Sequence, residues 1–358
     1  MSANEKTLSQ RDASKDVLAR APFMRACQRQ PVEFTPIWLM RQAGRYMPEY
    51  REVRERVGFL DLCKNSELAA EVTVTAVNVL NVDAAIIFAD ILLPLESMGA
   101  GLEYVKGDGP VLRNPVRTLE DFRRLRKIDV AEDLGYVMRS IQLARAGLKP
   151  NIPLIGFAGA PFTMASYLIE GGSSRHFERT KQMMYKTPEL FSSLLGLLAQ
   201  VTTEYLNAQI EAGAQAVQLF DSWVGCLGQE DYRRHVLPHV HSTISGITPG
   251  VPVIHFGTGN PSLLPLMHQA GGTVIGVDWR IELDQAWQLF PDSAVQGNLD
   301  PIVLMSEPSI IKERAQEILR KAGGRTGHIF NLGHGILPQT PVDNVRRLVE
   351  IVHEYRNN

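Results

Sequence analysis

The stretch PIWLMRQAGRYMPEY, residues 36 to 50, decides between the two folds that the rest of the chain allows, a barrel and an open doubly wound sheet. A short apolar run is followed at once by Arg41 and Arg45, with Gly44 between them. Arginines four residues apart would share one helix face and repel, and glycine would weaken that helix, so we expect a loop. An open doubly wound sheet usually has a G-x-G-x-x-G dinucleotide loop after its first strand. The arginine-bearing loop found here instead favours a barrel.

Seven further strand-like runs follow the first, and each is succeeded by turn residues and a longer helical stretch. Most of them lack alternation of polar and apolar residues, which is typical of strands buried on both faces of a parallel sheet. The eight runs are residues 36–40, 83–88, 153–157, 214–220, 252–256, 273–277, 294–298 and 328–332. They predict an α/β fold, specifically a (β/α)8 TIM-type barrel, a fold of roughly 250 residues that accepts large insertions.

Two local patterns refine this prediction. Between the second and third runs, GLEYVKGDGPVLRNPV has turn residues at 106–109, so we expect an inserted β-hairpin near residues 101–116. Residues 187–213 are expected to form one long helix, in which Thr187 caps the start, Pro188 occupies the first turn and Gly213 ends it.

Composition narrows the classes of function. The 358 residues carry a formal net charge of -2, which argues against general binding to nucleic acid or to an anionic membrane. Three widely spaced cysteines without zinc-type spacing suggest a reducing compartment, and no apolar run approaches the ~18 residues of a membrane span. We therefore expect a cytoplasmic protein with a flexible N-terminal segment, residues 1–20, and a single domain, residues 21–358.

The candidate functional residues follow the predicted strands, where barrels of this type carry their reactive groups. Arg41 and Arg45 follow the first run, Asp90 the second, Ser222 the fourth and His334 the eighth. Among further polar residues, His255 lies inside the fifth run, and Asp278 and Arg280 follow the sixth. The planar guanidinium group of arginine pairs well with carboxylate or phosphate, so the loop after the first run is predicted to bind an anion.

Each candidate also has a structural interpretation. The two arginines could be solvated surface charges, Asp90 could cap a helix, and Ser222 could bond only to nearby backbone. Tyr167 could be an ordinary core aromatic residue, and His334 a structural histidine between two glycines. Asp90 has apolar neighbours on both sides, and a carboxylate there is costly unless cations or N–H groups meet it, which favours a functional role.

Three further histidines, His235, His239 and His241, resemble a metal site by number alone. They lie with Pro238 in a helical stretch away from the strand ends, so no metal site is predicted there.

Six motifs together resemble the uroporphyrinogen decarboxylase family from about residue 20 to the C-terminus. They are PIWLMRQAGRYMPEYRE, IIFADIL, GFAGAPFTMASYLIEGG, FDSWVG, GNLDP and FNLGHGILPQTP. The resemblance implies a homodimeric, cofactor-independent carboxy-lyase of heme and chlorophyll biosynthesis. Such an enzyme removes the four acetate carboxylates of uroporphyrinogen III as CO2 and yields coproporphyrinogen III, with the substrate pyrrole as electron sink.

The resemblance also assigns roles to individual residues. Asp90 matches the aspartate that accepts hydrogen bonds from the pyrrole N–H groups and stabilises the ring cation, and Arg41 is suggested as a proton source, although arginine is a weak acid. The substrate-binding set implied by the family motifs is Arg41, Gln42, Ala43, Gly44, Arg45, Asp90, Tyr167, Ser222 and His334. No metal and no nucleic acid or membrane partner is implied.

Two other functions remain open from sequence alone. A related barrel could be a cobalamin-linked methyltransferase that activates a thiol on zinc, but Cys226 is the cysteine near a strand end and has no cysteine partner nearby. The chain could also be a non-catalytic anion-binding barrel.

Overall fold

The computed structural model describes residues 16–105 and 109–356, and its centre is a parallel sheet of seven strands. The strands of this sheet are β1 (Ala85–Ile86), β4 (Leu154–Gly159), β5 (Ala216–Asp221), β6 (Val253–Gly257), β7 (Val274–Gly276), β8 (Ala294–Gln296) and β9 (His328–Ile329). They follow one another in the sheet in chain order. Each predicted run from the second to the eighth therefore contains or overlaps a strand of a curled α/β sheet.

The first predicted run differs from the other seven. Ile37 makes an isolated parallel bridge to Phe330, and its carbonyl accepts a hydrogen bond of 2.8 Å from the Asp83 N–H. The N–H groups of Leu39 and Met40 donate to side-chain oxygens of Gln42 and Asn331, each at 3.2 Å. Because these donors are taken by side chains, the predicted strand at 36–40 is wrong in extent and is reduced to one bridge.

The predicted insertion is represented by two antiparallel strands, β2 (Leu102–Val105) and β3 (Gly109–Leu112), with Leu102 opposite Leu112. Residues 106–108, which would form the turn, lie outside the described residues, so the complete hairpin stays a prediction. On its far side β3 is joined to the main body, since Val111 bridges Gly172 and the Leu112 N–H donates to the Gly171 carbonyl at 2.9 Å.

Most of the helices cover the outside of the sheet, whereas the first packs against its inner face. They are α1 (Pro22–Cys27), α2 (Pro48–Arg56), α3 (Phe59–Lys64), α4 (Ser66–Leu80), α5 (Leu93–Ser97), α6 (Leu119–Arg123), α7 (Val130–Asp133), α8 (Gly135–Gly147), α9 (Pro161–Glu170), α10 (Glu178–Lys186), α11 (Pro188–Ala212), α12 (Gln229–Asp231), α13 (Leu237–Ser245), α14 (Leu264–Ala270), α15 (Leu283–Gln288), α16 (Pro308–Ala322) and α17 (Val342–Glu354). Short 3-10 turns occur at Val224–Cys226, Pro261–Leu263 and Pro301–Met305, and a π-helical turn at Tyr232–Val236. Among the described residues, none of these helices combines the length and apolar character needed to cross a membrane.

The long helix α11 is confirmed, but one of its predicted signals is wrong. Pro188 occupies its first turn, and Gly213 ends it with φ 119°, a left-handed conformation that suits glycine. The Thr187 hydroxyl does not cap α11, because it donates to the carbonyl of Met183 in the preceding helix at 3.2 Å.

Inside the sheet, a separate core cluster unites inward-facing residues of the strands with α1. Trp38, Ile155, Ile254 and Phe23 are almost fully buried in it. The Trp38 indole N–H donates to Gln296 at 2.9 Å, which satisfies its polar atom within this apolar interior. The strand interior is therefore filled with side chains. His255 lies within β6, whereas Asp90, Ser222 and His334 lie beyond the carboxyl ends of β1, β5 and β9.

Candidate functional site

Arg41 opens the loop after the first run in a left-handed conformation, with φ 63°. Its side chain is exposed and lies against the glycine-rich segment after β9, since a Cβ at Gly335 would come within 2.5 Å of Arg41 Cδ. The guanidinium charge lowers the pKa of His334 and opposes the burial that raises the pKa of Asp90. Arg41, Asp90 and His334 therefore share one electrostatic environment, although they are far apart in sequence.

The other residues of this loop divide into two groups. Gln42 is buried, its amide oxygen accepts from Leu39 N–H, and its amide N–H donates to the Ala84 carbonyl at 3.2 Å. Ala43 and Gly44 are half-buried, whereas Arg45 is exposed. The side chain of Gln42 thus holds the loop, while Arg45 and the backbone beside it face outward.

Asp90 lies beyond β1, half-buried, and two donors hold its carboxylate. Leu92 N–H donates to Oδ1 at 2.8 Å, and the Tyr104 hydroxyl donates to Oδ2 at 2.6 Å. Burial raises the pKa of Asp90, and these two hydrogen bonds together with the Arg41 charge oppose the rise. The bond from Leu92 N–H has the form expected of a local cap, but the bond from Tyr104 comes from a different element.

Tyr104 was not among the residues predicted for the site. It lies on β2, and its ring packs on Phe59 with ring centroids 4.5 Å apart. Phe59 in turn contacts Phe88, beside Asp90, at 6.0 Å. The sequence signal was present, because this tyrosine is part of the predicted insertion, but nothing in the spacing links the insertion to Asp90.

A second aromatic group contains Tyr167. Its ring stacks on Trp223 with centroids 3.8 Å apart, and Trp223 also contacts Phe177 at 5.0 Å. Burial and the charge of Asp90 raise the pKa of Tyr167 to about 12, so its hydroxyl keeps its proton at neutral pH. Tyr167 is therefore a hydrogen-bond donor within electrostatic range of Asp90.

Ser222 precedes Trp223 at the end of β5 and is half-buried. Its carbonyl accepts a hydrogen bond of 2.6 Å from the Thr258 hydroxyl, which joins the loops after β5 and β6. Ser222 is thus held beside the Tyr167 and Trp223 stack by its backbone.

His334 lies beyond β9 and is half-buried. Burial, Arg41 and Arg280 lower the pKa of His334 to about 4, with Asp278 acting in the opposite direction. Its Nδ1 accepts a hydrogen bond of 2.7 Å from Gly335 N–H. His334 is consequently a neutral imidazole at physiological pH, with Nε2 carrying the proton.

Asp278 and Arg280 form a local pair at the same end of the sheet. Arg280 donates to Asp278 Oδ2 at 2.5 Å, and this carboxylate also accepts from Gly259 N–H at 2.6 Å. The pair therefore fixes the loops after β6 and β7 rather than presenting an unpaired charge.

Asp221 and His255 form a fully buried pair beneath the site. Asp221 Oδ2 lies 3.8 Å from His255 Nε2, and Asp221 Oδ1 accepts from the Thr163 hydroxyl at 3.2 Å. Thr163 also accepts from the Trp223 N–H at 3.3 Å. This group supports the segment that carries Ser222 and Trp223.

Within residues 16–105 and 109–356, no three side chains of His, Cys, Asp or Glu are grouped so that they could hold a metal ion. His239 Nε2 lies 3.3 Å from the Ser192 hydroxyl, and His241 Nδ1 lies 3.2 Å from the Ala270 carbonyl. These two imidazoles are thus engaged by helical neighbours. The three cysteines, all of them within the described residues, form no disulfide.

Comparison with known proteins assigns the chain to a family. Residues 18–355 match the family model described as Uroporphyrinogen decarboxylase (URO-D). A uroporphyrinogen decarboxylase of Sorangium cellulosum is 56% identical over 333 residues, which cover 92% of this chain and 95% of the relative. Another, of Carboxydothermus hydrogenoformans, is 54% identical over 334 residues, which cover 93% and 95%.

Solved structures add a likeness of fold. A methyltransferase from Methanosarcina mazei superimposes with a TM-score of 0.75 over 93% of this chain and 98% of its own, at 20% sequence identity. At that identity the likeness concerns the arrangement of the backbone and not the reaction.

Proposed function

The chain belongs to the uroporphyrinogen decarboxylase family, and from this premise we propose that it removes the four acetate carboxylates of uroporphyrinogen III as CO2. The product is coproporphyrinogen III, an intermediate of heme and chlorophyll biosynthesis. The observation that carries the proposal at the site is Asp90, a carboxylate in apolar surroundings held by Leu92 N–H and Tyr104 at the carboxyl end of the sheet.

Asp90 is suited to accept the pyrrole N–H groups. A carboxylate offers about four lone-pair positions, two on each oxygen. Among the described residues, its hydrogen-bond donors are Leu92 on Oδ1 and Tyr104 on Oδ2. One position on each oxygen therefore remains for two pyrrole N–H groups of a substrate placed in the cleft.

The substrate itself supplies the electron sink. Protonation of the pyrrole α-carbon next to the carbon that bears the acetate gives a ring cation conjugated with the acetate methylene. The bond from the methylene to the carboxylate then breaks, and its electron pair neutralises the ring as CO2 leaves. Protonation of the methylene gives the methyl group, and loss of the ring proton restores the pyrrole, so no cofactor is required. A fixed anion such as Asp90 stabilises the cation more strongly in an apolar cleft than in water.

The remaining residues are assigned to the substrate's carboxylates. We place Arg41 beside the reacting acetate, as a catalytic residue, since its charge acts on both Asp90 and His334. Arg45, Tyr167, Ser222 and His334 are proposed to bind other side-chain carboxylates, with Tyr167 and His334 donating as neutral groups. Ala43 and Gly44 let the substrate approach the loop backbone, and Gln42 holds that loop from below.

The wider organisation is proposed on the same basis. We infer a closed (β/α)8 barrel with an inserted hairpin, in which residues 36–40 complete the ring; the contacts of Ile37 with Phe330 and Asp83 support this closure. We infer that one catalytic domain spans residues 21–358. Of the preceding segment predicted to be flexible, residues 1–15 lie outside the described residues, and residues 16–19 are helical. The family resemblance supports a cytoplasmic homodimer that binds neither nucleic acid nor membrane.

Turnover of uroporphyrinogen tests the function directly. Purified protein incubated anaerobically with uroporphyrinogen III should yield coproporphyrinogen III, resolved by chromatography after oxidation to the porphyrins. Activity should persist after exhaustive chelation and dialysis. Absence of product would overturn the proposal, and activity that is lost on chelation and restored by zinc would favour methyltransferase-like chemistry.

A further inference from the structure

The strand pair β2 and β3 is attached to the site at two places. At one place, the Tyr104 hydroxyl on β2 donates to Asp90 Oδ2 at 2.6 Å. At the other, Val111 of β3 bridges Gly172, and Leu112 N–H donates to the Gly171 carbonyl just after α9. Because α9 carries Tyr167, the strand pair links the Asp90 carboxylate with the helix that carries the aromatic stack.

The contact between Tyr104 and Asp90 is held in place by the packing of the tyrosine ring. The Tyr104 ring is fixed by Phe59 at 4.5 Å, so its hydroxyl is aimed at the carboxylate by packing. An O–H donor to a carboxylate at this distance is a strong, charge-assisted hydrogen bond. It fixes the rotation of the carboxylate and so determines the directions of the lone pairs left for a ligand.

We propose that Tyr104 is a positioning residue for the decarboxylation, which holds Asp90 ionised and oriented so that both carboxylate oxygens face the pyrrole N–H groups. This inference rests on the function proposed above. It extends that function to the inserted strand pair, which supplies a required contact to the site.

The charged and titratable groups around Asp90 make the proposal testable by pH. Those within electrostatic range are Arg41 in the loop after the first run, Cys63 on α3, Tyr104 on β2, Tyr167 on α9 and Tyr205 on α11. Burial raises the pKa of Cys63 and of the three tyrosines, so these four stay neutral below pH 8. Arg41 is the positively charged group of this set, and it is retained in Tyr104→Phe, Tyr185→Phe and Asp90→Asn, the variants of this experiment.

The experiment compares Tyr104→Phe with Tyr185→Phe. Tyr185 donates to Asp231 at the same 2.6 Å but is exposed on the surface, so the control removes an equivalent hydroxyl away from the site. Protein labelled with carboxyl-13C aspartate is titrated by NMR, and the Asp90 signal is identified by its absence in Asp90→Asn. The titration midpoint of the Asp90 carboxyl signal should rise by about 1 pH unit in Tyr104→Phe and stay unchanged in Tyr185→Phe.

Turnover supplies the second measurement. In the pH profile of kcat/KM, the acidic midpoint should rise by the same amount in Tyr104→Phe, so kcat/KM below that midpoint should fall about 10-fold. The melting temperature should stay unchanged, because the aromatic ring is retained. An unchanged Asp90 midpoint in Tyr104→Phe, or an equal shift in Tyr185→Phe, would overturn the inference. Wild-type protein that converts no uroporphyrinogen would instead overturn the proposed function, whatever the titration gives.

Discussion

At the scale of single residues, the sharpest prediction concerns Asp90. Asp90→Asn keeps the size of the side chain and can still accept from Leu92 N–H, so the fold should survive. It removes the charge that faces the ring cation, and kcat should fall by about 10²- to 10³-fold, the scale seen when one electrostatic stabiliser is lost. Steady-state kinetics beside a thermal melt measure both effects.

Asp90→Glu serves as the matched control for this prediction, because it keeps the charge and moves it by about one methylene. If Asp90→Glu is more active than Asp90→Asn, the charge of the carboxylate dominates. If it is less active, the geometry of the hydrogen bonds from the pyrrole N–H groups dominates. A near-normal kcat in Asp90→Asn would reduce Asp90 to a local cap.

The two arginines of the first loop should differ in importance. Arg41→Ala removes the guanidinium that acts on Asp90 and His334, and it should cost about 1.5 to 3 kcal/mol in kcat/KM. Arg45→Ala should also raise KM, by a smaller factor, because the charge of this loop that acts on both Asp90 and His334 is that of Arg41. Unchanged KM values in both variants, with intact melts, would contradict the assignment of this loop to anion binding.

The limits of sequence reasoning are visible at particular residues. Asp90 stood out because a charge among apolar neighbours requires a partner, and the structure supplies Tyr104 and Leu92 N–H. Tyr104 could not be predicted as a site residue, since its contact with Asp90 depends on how the inserted strands pack against the site. Gln42 shares the loop with two arginines, yet its side chain is buried and bonds to Ala84. Position in a motif does not reveal which way a side chain turns.

At the scale of elements, the segment after β9 offers a test through its glycines. A Cβ at Gly335 would lie 2.5 Å from Arg41 Cδ, the flexible part of a long side chain, so Gly335→Ala should displace Arg41 and raise KM with little loss of stability. A Cβ at Gly333 would lie 2.6 Å from the backbone nitrogen of Trp279, which cannot move as easily. Gly333→Ala should therefore lower the melting temperature.

The two glycine variants should differ in steady-state kinetics and in thermal melts: Gly335→Ala should raise KM, whereas Gly333→Ala should lower the melting temperature. A Gly335→Ala protein with unchanged KM would mean that the position of Arg41 does not limit binding. Equal melting losses in both variants would mean that backbone crowding, not Arg41, dominates this segment.

Element boundaries show what local sequence signals can decide. The runs from 83–88 to 328–332 each contain or overlap a strand because long-range pairing agrees with local apolar character. The run at 36–40 looks the same locally, yet side chains of Gln42 and Asn331 compete for its N–H groups. Thr187 likewise fits a cap, but a nearer carbonyl of α10 takes its hydroxyl. These competitions are set by tertiary contacts.

At the scale of the whole molecule, stability should depend on pH through His328. Burial lowers the pKa of His328 to about 4, partly opposed by its Nε2 contact with the Gly297 carbonyl at 3.1 Å. An unfolded histidine has a pKa of about 6.5. Between pH 6.5 and 4 the unfolded chain binds the extra proton, so stability falls as pH falls through this window, by at most about 3 kcal/mol for this residue.

His328→Gln isolates that contribution, because its amide can still donate to Gly297 and does not titrate. Urea unfolding at pH 7.5 and pH 5 should show a smaller acid loss in the variant, by about 2 kcal/mol. Equal losses in variant and wild type would contradict a buried neutral histidine.

The pairing of Ile37 with Phe330 has a consequence for how the protein is made. The first segment of the sheet meets its neighbour only when nearly the whole chain has emerged from the ribosome, which at ~5–20 residues per second takes on the order of tens of seconds. During that interval the apolar residues around Trp38 lack part of their packing, since the cluster that receives them includes Ile329. We therefore expect the nascent chain to expose apolar N-terminal surface until its synthesis is nearly complete.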